Sequence, residues 1–168
     1  MPVTSRHLAA TDRARLDLSD DRVLAAVRLA DGRRAVVSRR AFFVLTDDAV
    51  RRDAWCDVDR GSLDPESRAL TVRWVSGEGD VLVLGDERSS VAFTQMFRER
   101  VQASVVHAVS VELGGGRAPL RVALRRDEDG ALFTQVVGDA GVDLSDPATL
   151  ARVEAAEGEV REAAGLRR

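Results

Sequence analysis

The chain has 168 residues, of which 45% are hydrophobic, 25 are Lys or Arg and 28 are Asp or Glu, for a net charge of −3. Lys, Asn, Ile and Tyr are absent, so all 25 Lys+Arg positions are Arg, and mechanisms that need a lysine or a tyrosine are excluded. Arg doublets at 33–34, 39–40, 51–52, 125–126 and 167–168 are interleaved with Asp and Glu, which reads as a mutually screened surface rather than a stripe matched to nucleic-acid phosphates.

The missing residue types have AT-rich codons and the abundant Arg, Ala, Val and Gly have GC-rich ones, the imprint of a high-GC bacterial genome. One cysteine, Cys56, allows no intramolecular disulfide and no multi-cysteine zinc site. Neither a signal-peptide core nor an 18-residue apolar stretch is present, so the expectation is a cytoplasmic protein without a membrane span. The length suits one compact unit.

Residues 1–21 read as an N-terminal arm or short helix. From Val23 to Ala30 apolar residues alternate, Asp31-Gly32 signals a tight hairpin, and Arg34–Ser38 is the partner strand. Arg39-Arg40 then separates this pair from the apolar strand Ala41–Leu45. Asp47–Asp53 is polar and turn-like, and Trp55–Val58 restarts extended structure up to a break at Gly61 and Asp64-Pro65. Leu70, Val72 and Trp74 define a two-faced strand, with Val81–Leu84 pairing back.

Beyond Gly85 the period changes to about 3.6, with Phe93, Met96, Phe97 and Val101 on one stripe and Ser89 or Ser90 able to cap the start. The helix is expected to end near Ala103. Alternation through His107, Val109, Val111 and Leu113 then favours a strand, a helix running on to Gly114 being the alternative. Leu120–Arg125 and Ala131–Val137 flank Asp127-Glu128-Asp129-Gly130 as a second hairpin. Asp146-Pro147 opens a last helix with the stripe Leu150, Val153, Ala156 and Val160.

No constellation for catalysis emerges. His7 and His107 are isolated, the zinc-helix and nucleophile-elbow motifs are missing, and without Lys the phosphate-binding loop is excluded. Asp57, Asp59 and Asp64 fail as a calcium loop because its twelfth position is Arg68. Cys56, next to Asp57, reads as a buried, valine-like residue. No cofactor and no metal site are expected.

The stretch Val36-Val37-Ser38-Arg39-Arg40-Ala41-Phe42-Phe43-Val44 resembles a strand junction of bacterial pleckstrin-homology-like domains, and Trp55–Arg60 is similar to their next strand. The resemblance covers roughly residues 20–105 and implies an α+β fold, an antiparallel bent sheet or barrel capped by one amphipathic helix. It departs from that pattern in two ways: six strands are read before the helix where the family has seven, and a tail follows. The expected division is an arm (1–21), a pleckstrin-homology-like unit (22–104) and a C-terminal extension (105–168) of hairpin plus helix packed on the same unit. Phosphoinositide binding, which the resemblance would suggest, is disfavoured because the Asp31-Gly32 turn is too short to surround a headgroup. The expected function is a non-catalytic interaction or scaffold domain with another protein as partner. Arg39, Arg40 and the Phe42–Phe43 strand edge form its candidate surface, and Asp47 or Asp48 are the expected partners of the two arginines. The alternative is a small hydrolase or transferase with carboxylates in a cleft between sheet and tail.

Overall fold

The computed structural model describes residues 8–85, 87–138 and 142–166, which form an α+β fold of three antiparallel sheets and three helices with no closed barrel; His7 lies outside the described residues. The first sheet is a meander of β1 (Val23–Arg28), β2 (Arg34–Ser38), β3 (Ala41–Leu45) and β4 (Val50–Ala54). Its first hairpin is wider than a two-residue turn. Gly32 has φ +91° but Asp31 is not left-handed; Leu29 N–H donates to Arg33 O and the Asp31 carboxylate accepts from Arg33 N–H. At the next turn the Ser38 hydroxyl accepts from Ala41 N–H and donates to the Asp21 carboxylate, which leaves only Arg39 and Arg40 to span the reversal.

The reading of Asp47–Asp53 as a turn holds for residues 47–49, closed by the Thr46 N–H to Ala49 O hydrogen bond, and is corrected from Val50 on, where β4 begins. An edge strand needs only one covered side, and its arginines cover apolar rings with their own planes: the Arg51 guanidinium lies 4.2 Å from the Trp74 ring centre and that of Arg52 lies 5.9 Å from Phe43. Seven strands therefore precede the long helix. Trp55–Asp57 is a 3-10 turn rather than extended chain. The second sheet follows as β5 (Val58–Asp64), β6 (Ala69–Trp74) and β7 (Gly79–Val83), with β6 central. A bridge between Leu29 and Leu84, with Ala30 N–H donating to Val83 O, joins one corner of the two sheets. Gly61 does not break the chain but lies inside β5, because a Cβ there would stand 2.5 Å from Phe97 Cε1.

An α1 helix (Ala10–Arg15) lies on the first sheet. The segment is more than an arm: Leu16 joins Val23, Phe43 and Leu45 in a buried cluster, and the buried Asp12 meets Arg34 Nε at 2.6 Å. The long helix is α2 (Glu87–Ser104), so Ser89 and Ser90 sit inside it instead of capping it. Its Phe93 and Phe97 enter the main core, where Phe42 is the hub. The Phe42 ring lies 5.2 Å from Phe97 edge-on, 5.9 Å from Trp55, 6.1 Å from Trp74 and 6.4 Å from Phe93. Aromatic pairs of this kind add to the transfer free energy of burial.

α2 passes directly into β8 (Val105–Val111), which settles the helix-or-strand alternative in favour of the strand. β9 (Leu120–Arg126) is flanked by β8 and β10 (Leu132–Val137), so the extension is three strands and a helix, one strand more than hairpin plus helix. α3 (Pro147–Ala163) covers one face of this sheet through Val153, Ala156 and Val160, which cluster with Leu120, Val122 and Leu124. Asp146 is its N-cap, accepting from Thr149 N–H, with Pro147 next, as the sequence predicts. Leu150 points outward instead of joining the stripe.

Phe42→Ala removes the hub of the aromatic core and is expected to lower stability by about 3–5 kcal/mol in urea unfolding, while Leu150→Ala, at an exposed site, changes it by less than ~0.5 kcal/mol.

Candidate functional site

Two concave regions are built from separate sets of residues. The first, about 290 Å³, lies between the β2–β3 turn, the last turn of α2 and the β9–β10 hairpin, and its walls include Arg39, Arg40, Arg100, Ser104, Arg126 and Glu128. The structure thus brings Arg39 and Arg40 into a cleft, but Asp47 and Asp48 are not their partners. Arg40 makes a two-pronged contact with the Asp20 carboxylate (2.7 and 3.0 Å), and Asp47 stands 3.9 Å from Arg34. Phe42 and Phe43 are not part of any surface. β3 is an interior strand, hydrogen-bonded to β2 and β4, and both rings are at most 1% exposed. Two of the carboxylates in the cleft have other tasks: Asp127 accepts from the N–H groups of Asp129 and Ala131 to close the hairpin, and Glu128 pairs with Arg52.

Behind this cleft lies a group that sequence reasoning missed. Arg125, on the central strand β9, is 0% exposed, and its Nη2 donates to Trp55 O (2.8 Å), Val58 O (2.9 Å) and Ser104 Oγ (2.9 Å). Burial pulls its pKa below the ordinary guanidinium value, and among the described residues no carboxylate forms an ion pair with it. Around it, Gln135 Nε2 donates to Cys56 O at 3.1 Å and Arg121 pairs with Asp59. The C-terminal sheet thus holds the segment Trp55–Asp59 through its backbone carbonyls and one carboxylate. The available signal was an arginine closing the apolar run Val122-Ala123-Leu124.

Cys56 is buried in the 3-10 turn, and burial, seconded by the charge of Asp57, pushes its thiol pKa up. It therefore stays protonated where a reactive cysteine would be a thiolate. His107 is exposed on β8. Among the described residues no group of three or more His, Cys, Asp or Glu side chains is placed to hold a metal ion, and no helix is long and apolar enough to cross a membrane.

The second region is larger, a groove of about 700 Å³ between β5 and α2. One wall is the run Arg60–Leu63; the other is the outward stripe Val91, Thr94, Gln95, Arg98, Val101 and Gln102, whose spacing of three and four residues places it on one helix face. Phe97, seated against Gly61, forms the floor. A hollow of about 300 Å³ shares Leu63, Val91 and Thr94 and adds Pro65, Arg68 and Leu84 at the apolar end. Leu63 is 41% and Val91 69% exposed, and β5, paired only with β6, offers a free strand edge along the groove.

No protein-family model, no curated protein and no solved structure matches the chain significantly.

Two outcomes test this arrangement. Arg125→Ala takes a shared donor from Val58 O, Ser104 Oγ and Trp55 O, the last of which keeps the N–H of Val58, and opens a cavity, so stability measured by urea unfolding is expected to fall by about 1–3 kcal/mol. Cys56 is expected to react with a disulfide reagent only at the rate of unfolding. Because its folded pKa is raised, the stability it contributes is complete below the ordinary thiol range and declines as pH rises through and beyond it, which unfolding curves across alkaline pH will show.

Proposed function

We propose that this protein is a non-catalytic interaction module that receives an extended peptide segment of a protein partner as an added strand on β5, against α2. The observation that carries the reading is the groove itself, in which a free strand edge and a part-apolar helix face stand side by side. An added strand gains main-chain hydrogen bonds from the edge, while alternate side chains enter the groove and provide selectivity. The exposed Leu63 and Val91 give such a segment an apolar anchor point.

We assign residues 22–104 to a pleckstrin-homology-like core. The meander of four strands, the second sheet of three and the helix that follows them support that assignment, since seven strands and one helix are what the resemblance implies. The reduced state of a cytoplasm suits a chain whose sole cysteine is buried and unpaired.

A display library of random dodecapeptides panned on the immobilised full chain is expected to yield binders that shift backbone amide NMR signals of residues 60–64 and 91–102. The double variant Leu63→Ser/Val91→Ser, changed only at exposed positions, is expected to fold normally and to bind the same peptides at least tenfold more weakly. Shifts confined to the Arg39–Arg40 cleft, or no enrichment, would refute the groove.

A further inference from the structure

We infer that the segment received by the β5 groove is acidic over part of its length, with an apolar residue followed two and three positions later by Asp or Glu. This rests on the proposed strand addition to β5 and specifies its partner. The charge pattern of the walls carries it. Arg60 and Arg98 line the groove and no carboxylate does. Arg98 forms no ion pair among the described residues. Arg60 has only Asp59, at 4.0 Å, and that carboxylate is already bound to Arg121. Glu99 and Asp64 do not line the groove: Glu99 accepts from Gln95 Nε2, and Asp64 accepts from Glu66 N–H and the Ser67 hydroxyl to close the β5–β6 turn. Arg98 therefore lines an open groove with no carboxylate paired to it, and Arg60, on the opposite face of the strand, shares Asp59 with Arg121, so that both can bind incoming carboxylates by charge-assisted hydrogen bonds.

Spacing follows from strand geometry. Every strand pair among the described residues is antiparallel, and an antiparallel newcomer meets Leu63 before Arg60. Its residue opposite Leu63 joins the apolar end formed with Val91 and Leu84. Side chains alternate along a strand, so the residue opposite Gly61, two positions on, points to the α2 side where Arg98 stands. The residue opposite Arg60, three positions on, points the other way and meets that guanidinium.

The peptides enriched by panning are expected to carry Asp or Glu at those two positions after an apolar residue. One such peptide, synthesised with a fluorescein label, is expected to lose at least tenfold in affinity for Arg98→Glu in anisotropy titrations, and a version with its acidic residues changed to Arg is expected to recover binding to that variant. Overlaid amide spectra check that the exposed substitutions leave the fold intact. Enriched peptides without acidic excess, bound equally by Arg98→Glu but lost with Leu63→Ser/Val91→Ser, would overturn the acidic code while leaving the groove reading in place. Absence of any enriched peptide would overturn both. Binding of phosphatidylserine vesicles lost in Arg98→Glu, with no peptide enriched, would overturn the proposal in favour of an anionic membrane surface.

Discussion

The C-terminal sheet meets the rest of the molecule around one buried guanidinium, flanked by the Gln135–Cys56, Arg121–Asp59 and Arg52–Glu128 contacts. Removing an arginine from water is expensive, and Arg125 offsets only part of that cost: its Nη2 donates to two carbonyls of the segment Trp55–Val58 and to the last residue of α2, while its buried Nε and Nη1 have no partner among the described residues. Those same residues serve the main core. The Trp55 ring packs on Phe42 and Phe97 while its Nε1 donates to Ser38 O. A single buried side chain on β9 thus holds the turn that orients the aromatic cluster, the start of β5 and the end of α2.

The open edges of the first two sheets are treated unequally. β4 carries Arg51, Arg52 and Asp53, with Arg51 paired to Asp53 and Arg52 to Glu128, a charged edge of the sort that discourages pairing with other chains. β1 and β7 meet at the Leu29–Leu84 bridge. β5 has no such covering past Arg60, and its outer residues are largely exposed. Gly61 brings the helix close at that point, so the edge and the helix form one groove rather than two unrelated surfaces.

Features that depend on local rules were legible in the sequence. The 3.6-residue spacing of Phe93 and Phe97, the Asp-Gly hairpin positions and the Asp146-Pro147 helix start each follow from backbone preferences acting over a few residues, and each is where the structure has it. What was missed depends on contacts distant in the chain. β4 reads as a turn because its arginines are polar until Trp74 and Phe43 are seen beneath them. Phe42 and Phe43 read as a strand edge because only the addition of β4 makes β3 interior. The candidate site was legible only as a class: open strand edges were foreseeable, but the pairing of β5 with the outward face of α2 is set by Phe97 filling the space above a glycine 36 positions earlier.

The junction at Ser104 and Val105 has a mechanical consequence. No connecting loop separates α2 from β8, so the helix and the strand share consecutive residues and cannot slide independently. α2 is one wall of the groove at its outward face, a contributor to the aromatic core at its inward face, and the lead-in to the C-terminal sheet at its end. A force that tilts the helix away from β5 must therefore either strain the hydrogen-bond register of β8 against β9 or carry that sheet along with it, which makes α2 a lever whose fulcrum is the buried Ser104–Arg125 contact.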